Sequence, residues 1–532
     1  MSGDTSGDPN ISAFPEKPIL AMASGAWPLV SCDVADRLTE WFLYAIVVFS
    51  PWAFGTTQVW AMWVMNVCGY TLGALLLFKW AVRRASGYYP PQWETAANGQ
   101  RKAFGVHSLG CQMPPNALKR GHQTRMGSQN QNCCLTKVLG GTTIAILVYC
   151  LVSALNARAH FSRDDAGFQY HDFVAWLPHS YDSPASWQSF WNYLALACDF
   201  WAARDWLLTK SWQECVLAPP RPDGAPRLPI RVKRLLWVLS INGALLALEG
   251  LLQRATGTTK LLWLLEPRIN KNPGAQFGPY AYRSNAAQYL LLLWPVALGF
   301  WWALFREASK TRRRFHKYLV PCILVLALAP IASLSRAAIL IGSGSIVVAI
   351  LIMVRFGERV KAGVLLGAAA LLISTVLLGA YLEKDHLTKR FGDEPVDSGR
   401  VEIWRNTWNI FKDFPVYGTG PGTFESVYIM YLPAGNGTWH SYAHNDWLEL
   451  LATFGSVGAL LVLGALLVAL AHPFFGGRIR VSRAFVPLLY LALANCLVFA
   501  LVDFPFVVYS VLLEFLIVCA LLTCMSQQKS RK

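Results

Sequence analysis

The sequence has few charged residues for its length. Only 15% of its 532 residues are Asp, Glu, Lys or Arg, whereas a soluble domain averages about 25%. Hydrophobic residues make up 54% of the chain, and apolar runs long enough to cross a bilayer, roughly 17–25 residues, recur along it. A large water-exposed surface is therefore excluded, and we predict an all-α polytopic membrane protein.

Three further absences narrow the class of protein. The 12 cysteines have no metal-site spacing, and many lie inside apolar runs, so we expect neither a metal site nor a disulfide framework. Residues 1–37 contain no basic segment that leads directly into an apolar stretch, which argues against a cleaved signal peptide. The net charge of +16 is not gathered into one patch, so nucleic acid is not an expected partner.

About twelve apolar segments are predicted to be transmembrane helices. They cover residues 38–55, 60–82, 138–155, 186–208, 235–252, 286–305, 318–335, 337–354, 362–382, 444–471, 484–502 and 505–524. The prediction of the fourth span is weakened by three charged residues within it, Asp199, Arg204 and Asp205. The expected organisation is an N-terminal tail at 1–37, a single transmembrane domain at 38–524 and a short tail at 525–532.

Lys and Arg concentrate in alternate connecting loops, among them 83–137, 209–234 and 306–317. The positive-inside rule places these loops and both termini in the cytoplasm, as in a bacterial inner-membrane protein. The basic 83–137 segment is rich in Gly, Gln, Asn and Pro, and we expect a flexible surface loop there.

Three long loops then face the periplasm, at about 156–185, 253–285 and 383–443. The last is the largest and lies between the ninth and tenth spans. The middle loop is basic, on the side of the membrane that normally avoids Lys and Arg. Either an anionic ligand or anionic lipid headgroups would explain its charge. Its charged residues are Arg254, Lys260, Glu266, Arg268, Lys271 and Arg283.

The largest loop contains a predicted amphipathic helix. Four apolar residues recur at helical spacing, which predicts a stripe that faces the protein or the lipid interface: Val401, Trp404, Trp408 and Phe411. Pro415 ends this helix, and the glycines at 418–422 predict a tight turn. Such a turn either offers backbone N–H groups to a phosphate or is purely structural.

Two histidines follow in this loop, four residues apart, and we expect them on one face of a helix. His440 and His444 would then bind a metal ion, anchor the helix, or supply a general base at the mouth of a membrane cavity. A metal pair is disfavoured because no third ligand is evident. For the base, Asn445 and Asp446 are candidates to orient His444.

Three arginines are candidates to bind a negatively charged substrate near these histidines. Arg336 lies at the external end of a predicted helical hairpin, where burying a charge costs free energy, so we consider it a functional candidate. In the alternative interpretation it has a structural role and pairs with Asp503 or Glu514. The predicted topology places Arg283 and Arg400 on the same side of the membrane as Arg336. Guanidinium groups bind phosphate bidentately, so these residues beside a histidine base suggest sugar transfer from a lipid diphosphate.

At this point the sequence resembles the O-antigen ligase/polymerase superfamily of bacterial envelope glycosyltransferases. The resemblance rests on RVEIWRNTWNIFKDFPVYGTGPGTF with HSYAHNDWLELLATFGSVG, on SLSRAAIL, and on FGPYAYRSNAAQYL. These pieces fall within about residues 270–470.

The resemblance implies a metal-independent, inverting transfer of glycan from undecaprenyl diphosphate to a hydroxyl at the periplasmic face, without a cofactor. His444 would be the catalytic base, and Arg400 and Arg336 would bind the diphosphate. The further candidates for substrate binding are Arg283, Asn285, Arg405, His440 and Asn445.

Several functions remain compatible with these motifs. The acceptor is a lipid A–core sugar in a ligase, a second lipid-linked glycan in a polymerase, or a protein hydroxyl in an oligosaccharyltransferase. A ligase-like activity is the preferred interpretation. The alternative from a different class is a flippase or secondary transporter whose arginines bind an anionic substrate. The absence of a visible internal repeat argues against it.

Overall fold

The computed structural model of the chain describes residues 27–88, 90, 93, 126–165, 167–211, 214, 228–308, 315–356, 398–432, 440–475 and 479–526. These residues are mostly helical. The α-helices in chain order are α1 (Trp27–Trp52), α2 (Val59–Ser86), α3 (Met126–Leu155), α4 (Ser183–Leu208), α5 (Ile230–Thr256), α6 (Arg283–Ala308), α7 (Leu319–Ala332), α8 (Arg336–Phe356), α9 (Ser398–Asp413), α10 (Phe424–Tyr428), α11 (Asp446–Phe475), α12 (Phe485–Phe499) and α13 (Tyr509–Cys524).

Short 3-10 turns and two small sheets complete the described structure. The 3-10 turns are Phe54–Thr56, Pro273–Ala275, Phe315–Tyr318 and Ile429–Tyr431. Strands β1 (Ala159–Ser162) and β2 (Gly167–Tyr170) form an antiparallel hairpin. Strands β3 (Ile479–Arg480) and β4 (Met525–Ser526) pair in parallel.

Eleven of the twelve predicted apolar segments coincide with these helices, and the ninth, at 362–382, lies outside the described residues. Seven described helices are long and apolar enough to cross a membrane. They are Val59–Ser86, Cys134–Leu155, Ile230–Thr256, Arg283–Ala308, Phe315–Ala332, Arg336–Phe356 and Asp446–Phe475. Helices α12 and α13 are apolar but shorter. The chain is therefore a multi-pass membrane protein, and the number of twelve spans stays a prediction.

Helices α1 and α4 are not among the seven candidate membrane-crossing helices, and both contain more polar side chains. The middle of α1 includes Asp36, Arg37 and Glu40. The first half of α4 reads SPASWQSFWNY, which is polar and aromatic rather than aliphatic. In both helices much of this polarity faces protein, so neighbouring helices supply the partners that lipid cannot.

A buried cluster of charges joins α1, α2, α4 and α5 at one end of the bundle. Three acidic and three basic side chains form it: Asp36, Lys79, Arg83, Asp205, Glu214 and Arg231. The ammonium of Lys79 lies 3.0 Å from carboxylate oxygens of both Asp36 and Asp205. Because the charges balance, the cluster is stable as a set but intolerant of losing one member.

Replacing Lys79 with methionine should therefore destabilise the protein. Removing one partner of a buried ion pair leaves an uncompensated charge and costs about 3–5 kcal/mol. We expect a clearly lower midpoint of thermal unfolding for the purified protein in detergent. Arg234→Gln is the matched control, because its pair with Glu40 is half-exposed and such pairs contribute about 0–1 kcal/mol. Equal midpoints for the two variants would contradict the structural role of the cluster.

A smaller core lies outside this bundle and packs α9 and α10 against the start of α11. Helix α9 is present as predicted and ends at Asp413, before Pro415. The face that it buries is different from the predicted stripe, however. Ile403, Thr407 and Ile410 are buried, whereas 46% of Val401 and 42% of Trp408 is exposed. Two adjacent apolar faces share the same helical period, so spacing alone does not show which one meets protein.

Candidate functional site

His444 lies in an irregular segment immediately before α11. The expectation that His440 and His444 share a helical face is wrong, because α11 begins only at Asp446. The reason is a helix cap: the side-chain oxygen of Asn445 accepts hydrogen bonds from the N–H groups of Trp447 and Leu448, both at 3.1 Å. A residue in this capping position has a non-helical backbone, which also removes the geometric basis for a metal pair.

The backbone on either side of His444 is held in place by its neighbours. The indole N–H of Trp404 in α9 donates to the carbonyl of Ala443 at 3.1 Å. The N–H of Ala443 donates to a carboxylate oxygen of Glu449 at 2.9 Å. His444 itself has a φ of 51°, a left-handed conformation that is uncommon for residues other than glycine. Such backbone strain persists where surrounding contacts over-determine the conformation, and it is frequent at functional sites.

Asp503, in the loop between α12 and α13, orients the His444 ring. Its Oδ1 atom lies 3.1 Å from Nδ1 of His444. The Asp503 side chain is 2% exposed and that of His444 is 25% exposed. This contact leaves Nε2 as the ring nitrogen available for proton transfer, the arrangement that a carboxylate-oriented histidine base requires.

The sequence had instead favoured Asn445 and Asp446 for this orienting role, and the structure corrects that interpretation. Asn445 caps α11, and a carboxylate oxygen of Asp446 accepts from the N–H of Phe506 at 2.8 Å. Both residues hold the chain around the site, whereas the His444 ring pairs with Asp503. Asp503 had been considered only as a structural partner of Arg336.

Phe504 forms the aromatic centre of the site. Its ring stacks on that of Tyr442, with centroids 4.4 Å apart, and on that of Tyr282 at 5.6 Å. The His444 ring meets it edge-on at 4.9 Å. Phe504 is 7% exposed, so one buried ring connects the chain before α6, the segment before α11 and the loop between α12 and α13.

Arg400 is joined to the same loop. Its Nη1 donates to the carbonyl of Val502 at 2.8 Å, one residue before Asp503. Burial, together with the carboxylate of Asp503, raises the pKa of Tyr282 to about 12, while the guanidinium groups of Arg400 and Arg283 act in the opposite direction. The charges of Arg400, Arg283 and Asp503 therefore all act on this tyrosine, which stacks on Phe504.

Arg283 and Arg336 lie at the first positions of two neighbouring helices, α6 and α8. The hydroxyl oxygens of Ser284 and Ser335 are 3.1 Å apart, which brings these two helix starts together. Nη1 of Arg283 donates to the carbonyl of Gly274 at 2.7 Å. The predicted hairpin is present, with α7 ending at Ala332 and α8 beginning at Arg336.

The site thus combines arginine side chains with helix N-termini. Arg283, Arg336 and Arg400 each lie in the first turn of their helices, and His444 precedes the first turn of α11. The N-terminus of an α-helix carries a partial charge of about +0.5 and exposes unpaired N–H groups. Arginines placed there add to this field, and the arrangement favours an anion such as a phosphate group.

A comparison with protein families matches the part of the chain that contains much of this candidate site. Residues 321–463 match the family model described as O-antigen ligase. This match supports the resemblance of the chain to the O-antigen ligase/polymerase superfamily. The matched region runs from α7 into α11 and covers about a quarter of the chain. It includes Arg336, Arg400 and His444. No curated protein matches the chain.

The remaining predicted substrate-binding residues lie in different environments. His440 meets the ring of Tyr428 edge-on at 5.8 Å. Partial burial and the neighbouring His444 imidazole lower the pKa of His440. Asn285 is 6% exposed, and its side-chain oxygen has no hydrogen-bond partner among the residues described. Arg405 is exposed on α9. Their roles in substrate binding stay predictions.

The glycine-rich turn after α9 has a structural role. The N–H groups of Thr419 and Gly420 donate to the carbonyls of Ala452 and Thr453, at 3.0 and 2.9 Å. These groups are therefore occupied by protein, which favours the plain turn over a phosphate cradle. The partner segment is a break inside α11 at Gly455, where φ is 59°. The turn and this break together fix α9 on α11.

Gly455→Ala should disrupt this docking. A Cβ at Gly455 would lie 2.4 Å from the carbonyl oxygen of Val416, and the residue has a positive φ. We expect a markedly lower thermal unfolding midpoint for the purified protein. Gly464→Ala in the same helix is the control, since its Cβ would meet nothing within 4 Å. If both variants unfold at the wild-type temperature, the break in α11 does not hold α9.

Proposed function

We propose that this protein is an O-antigen ligase-like glycosyltransferase. It moves a glycan from undecaprenyl diphosphate to a hydroxyl acceptor, with a histidine general base and an arginine clamp for the diphosphate. The proposal rests chiefly on the contact between His444 and Asp503 beside Arg400, at a point where the N-termini of several helices meet. The family match over residues 321–463 supports an enzyme that uses lipid-linked glycan and an acceptor.

In the proposed reaction, Nε2 of His444 accepts the proton of the acceptor hydroxyl as its oxygen attacks C1 of the donor sugar. A new bond forms between C1 and the acceptor oxygen, and the bond between C1 and the diphosphate oxygen breaks. Undecaprenyl diphosphate leaves with the bonding electrons. This single displacement inverts the configuration at C1. Asp503 stabilises the imidazolium, which afterwards releases its proton to water.

Arg400, Arg336 and Arg283 bind and neutralise the departing diphosphate. Guanidinium groups remain charged at physiological pH and hold phosphate oxygens bidentately, so they can supply the charge neutralisation that the leaving group needs. The diphosphate is a good leaving group, which removes the need for a separate general acid. Membrane helices around the site accommodate the polyprenyl chain.

The proposed orientation follows from the positive-inside rule. Both termini lie in the cytoplasm, the protein crosses the inner membrane, and the site faces the periplasm. A lipid A–core sugar is the preferred acceptor. A second lipid-linked glycan or a protein hydroxyl would use the same base and the same clamp, because the chemistry at C1 is unchanged.

The test of this function uses the native host with the gene deleted. The deletion strain is complemented with wild type or with His444→Ala at equal membrane levels, and envelope glycans and lipid-linked precursors are separated by length. We expect the variant to accumulate undecaprenyl-linked glycan and to lack the finished product. Accumulated long chains indicate a ligase, and single repeat units indicate a polymerase. A wild-type glycan profile would refute the proposal and favour a transporter.

A further inference from the structure

The loop that follows α5 exposes large apolar side chains. Between residues 258 and 272, called here the 258–272 loop, 82% of Leu264 and 76% of Ile269 is exposed. Leu265 and Trp263 are 50% and 41% exposed. These residues lie close together in the chain, directly after a helix that is long and apolar enough to cross a membrane.

The loop has a defined backbone that presents these side chains. Leu261 and Leu265 exchange N–H to carbonyl hydrogen bonds of 2.8 and 3.1 Å, and Leu261 is 2% exposed. Leu262 and Trp263 have φ values of 52° and 58°, in the left-handed region that bulky residues rarely adopt. The indole N–H of Trp263 donates to the hydroxyl of Thr256 at 3.1 Å. The tight turn therefore holds Leu264 outward at the expense of backbone strain.

Basic residues flank the apolar tip. Lys260, Arg268 and Lys271 are exposed, and Glu266 is the acidic residue among them. Helix α5 has 27 residues, a length of about 40 Å at 1.5 Å per residue, whereas the hydrocarbon core is about 30 Å thick. The loop after its end is therefore expected at the level of the lipid headgroups, if α5 crosses the membrane.

We propose that the 258–272 loop is a membrane-interface anchor. Leu264 and Ile269 insert among the acyl chains, and Lys260, Arg268 and Lys271 bind the phosphate groups of anionic phospholipids. The combination of an apolar tip and a basic rim is that of interfacial segments. A soluble anionic ligand would account for the charges but not for the exposed leucine and isoleucine, so the lipid surface is the occupant that fits both.

The anchor is connected to Arg283, one of the three arginines of the candidate site. The side-chain amide of Gln276 donates to the carbonyls of Asn270 and Thr259, at 2.8 and 3.1 Å. Two residues earlier, the carbonyl of Gly274 accepts from Arg283. The loop thus sets the depth of Arg283 relative to the lipid phosphates. This consequence rests on the proposed function, whereas the membrane contact itself does not.

Photo-cross-linking of the full chain tests the contact without measuring transfer. A photoreactive benzophenone amino acid replaces Leu264, or replaces Asp164 as a control, which is exposed in the turn of the β1–β2 hairpin. The proteins are placed in nanodiscs of phosphatidylcholine with or without phosphatidylglycerol. After irradiation, mass spectrometry identifies the adducts. We expect at least fivefold more phospholipid adduct at position 264 than at position 164.

The charged rim is tested in the same nanodiscs. Phosphatidylglycerol should raise the adduct yield at position 264 at least twofold, and the combined changes Lys260→Gln, Arg268→Gln and Lys271→Gln should abolish that increase. Equal lipid yields at positions 264 and 164, or adducts at 264 that join two protein chains, would overturn the anchor. A yield independent of phosphatidylglycerol would overturn the role of the basic residues. Because transfer is not measured, these results stand apart from the outcome for the proposed function.

Discussion

His444→Ala should lower the rate of glycan transfer by about 10²–10⁴, the usual contribution of a positioned general base. The structure makes this the largest expected effect of a single substitution. The acceptor hydroxyl is a weak nucleophile, and the ring nitrogen of His444 opposite Asp503 is the group proposed to take its proton. Turnover by the purified protein, with donor saturating, is the measurement. Donor binding should change little.

Two further variants separate base catalysis from a structural role of His444. Asp503→Asn keeps the size of the side chain but removes its charge, and we expect a smaller loss of kcat with KM for the donor unchanged. His171→Ala is the control, since His171 is exposed beyond the β1–β2 hairpin and should leave turnover unchanged. Full activity of the folded His444→Ala protein would show that His444 is not the general base.

Arg400→Gln and Arg336→Gln should each reduce transfer by about 10²–10³, comparable to the loss of one donor that stabilises developing negative charge. Both residues lie in the first turn of a helix, so each adds a full charge to a region that already favours anions. Removing one weakens donor binding and departure of the diphosphate together. Kinetics should therefore show a higher KM for the lipid-linked donor as well as a lower kcat.

The conservative variants provide the sharper comparison. Arg400→Lys and Arg336→Lys keep the charge but lose the two parallel N–H donors of guanidinium, and we expect intermediate activity. Lys412→Gln, at an exposed position in the last turn of α9, controls for loss of positive charge on that helix and should stay within about twofold of wild type. Wild-type kinetics in both glutamine variants would contradict the proposal that Arg336 and Arg400 bind the diphosphate.

Much of this fold was predictable because lipid imposes simple rules on sequence. Apolar length predicted eleven segments that coincide with helices, and the motifs named most of the residues considered in the candidate site. Tyr282 and His444 both pack on Phe504, and Arg400 donates to the carbonyl of Val502 in the same loop. Helix α9 also followed from its period and from Pro415.

The features that were missed depend on contacts between distant segments. His440 and His444 are four residues apart, which suggested that they share one face of a helix. Asn445 instead caps the helix, which therefore begins only after His444. Asp503 lies 59 residues after His444 in the chain, so its partner could not be chosen from local pattern. The available signal was an aspartate at the junction of two apolar helices, where an unpaired charge is unfavourable.

In the proposed reaction, this protein cleaves a lipid diphosphate sugar and transfers the glycan to a hydroxyl group. The most direct test of this reaction is purified full-length protein in nanodiscs, supplied with undecaprenyl diphosphate-linked glycan and a lipid extract of the native host envelope as acceptor. Glycosylated acceptor and released undecaprenyl diphosphate are then quantified together. We expect equal amounts of both with wild type and at least about a hundredfold less of each with His444→Ala. Intact donor with wild-type protein, or undiminished products with the variant, would contradict the proposed reaction.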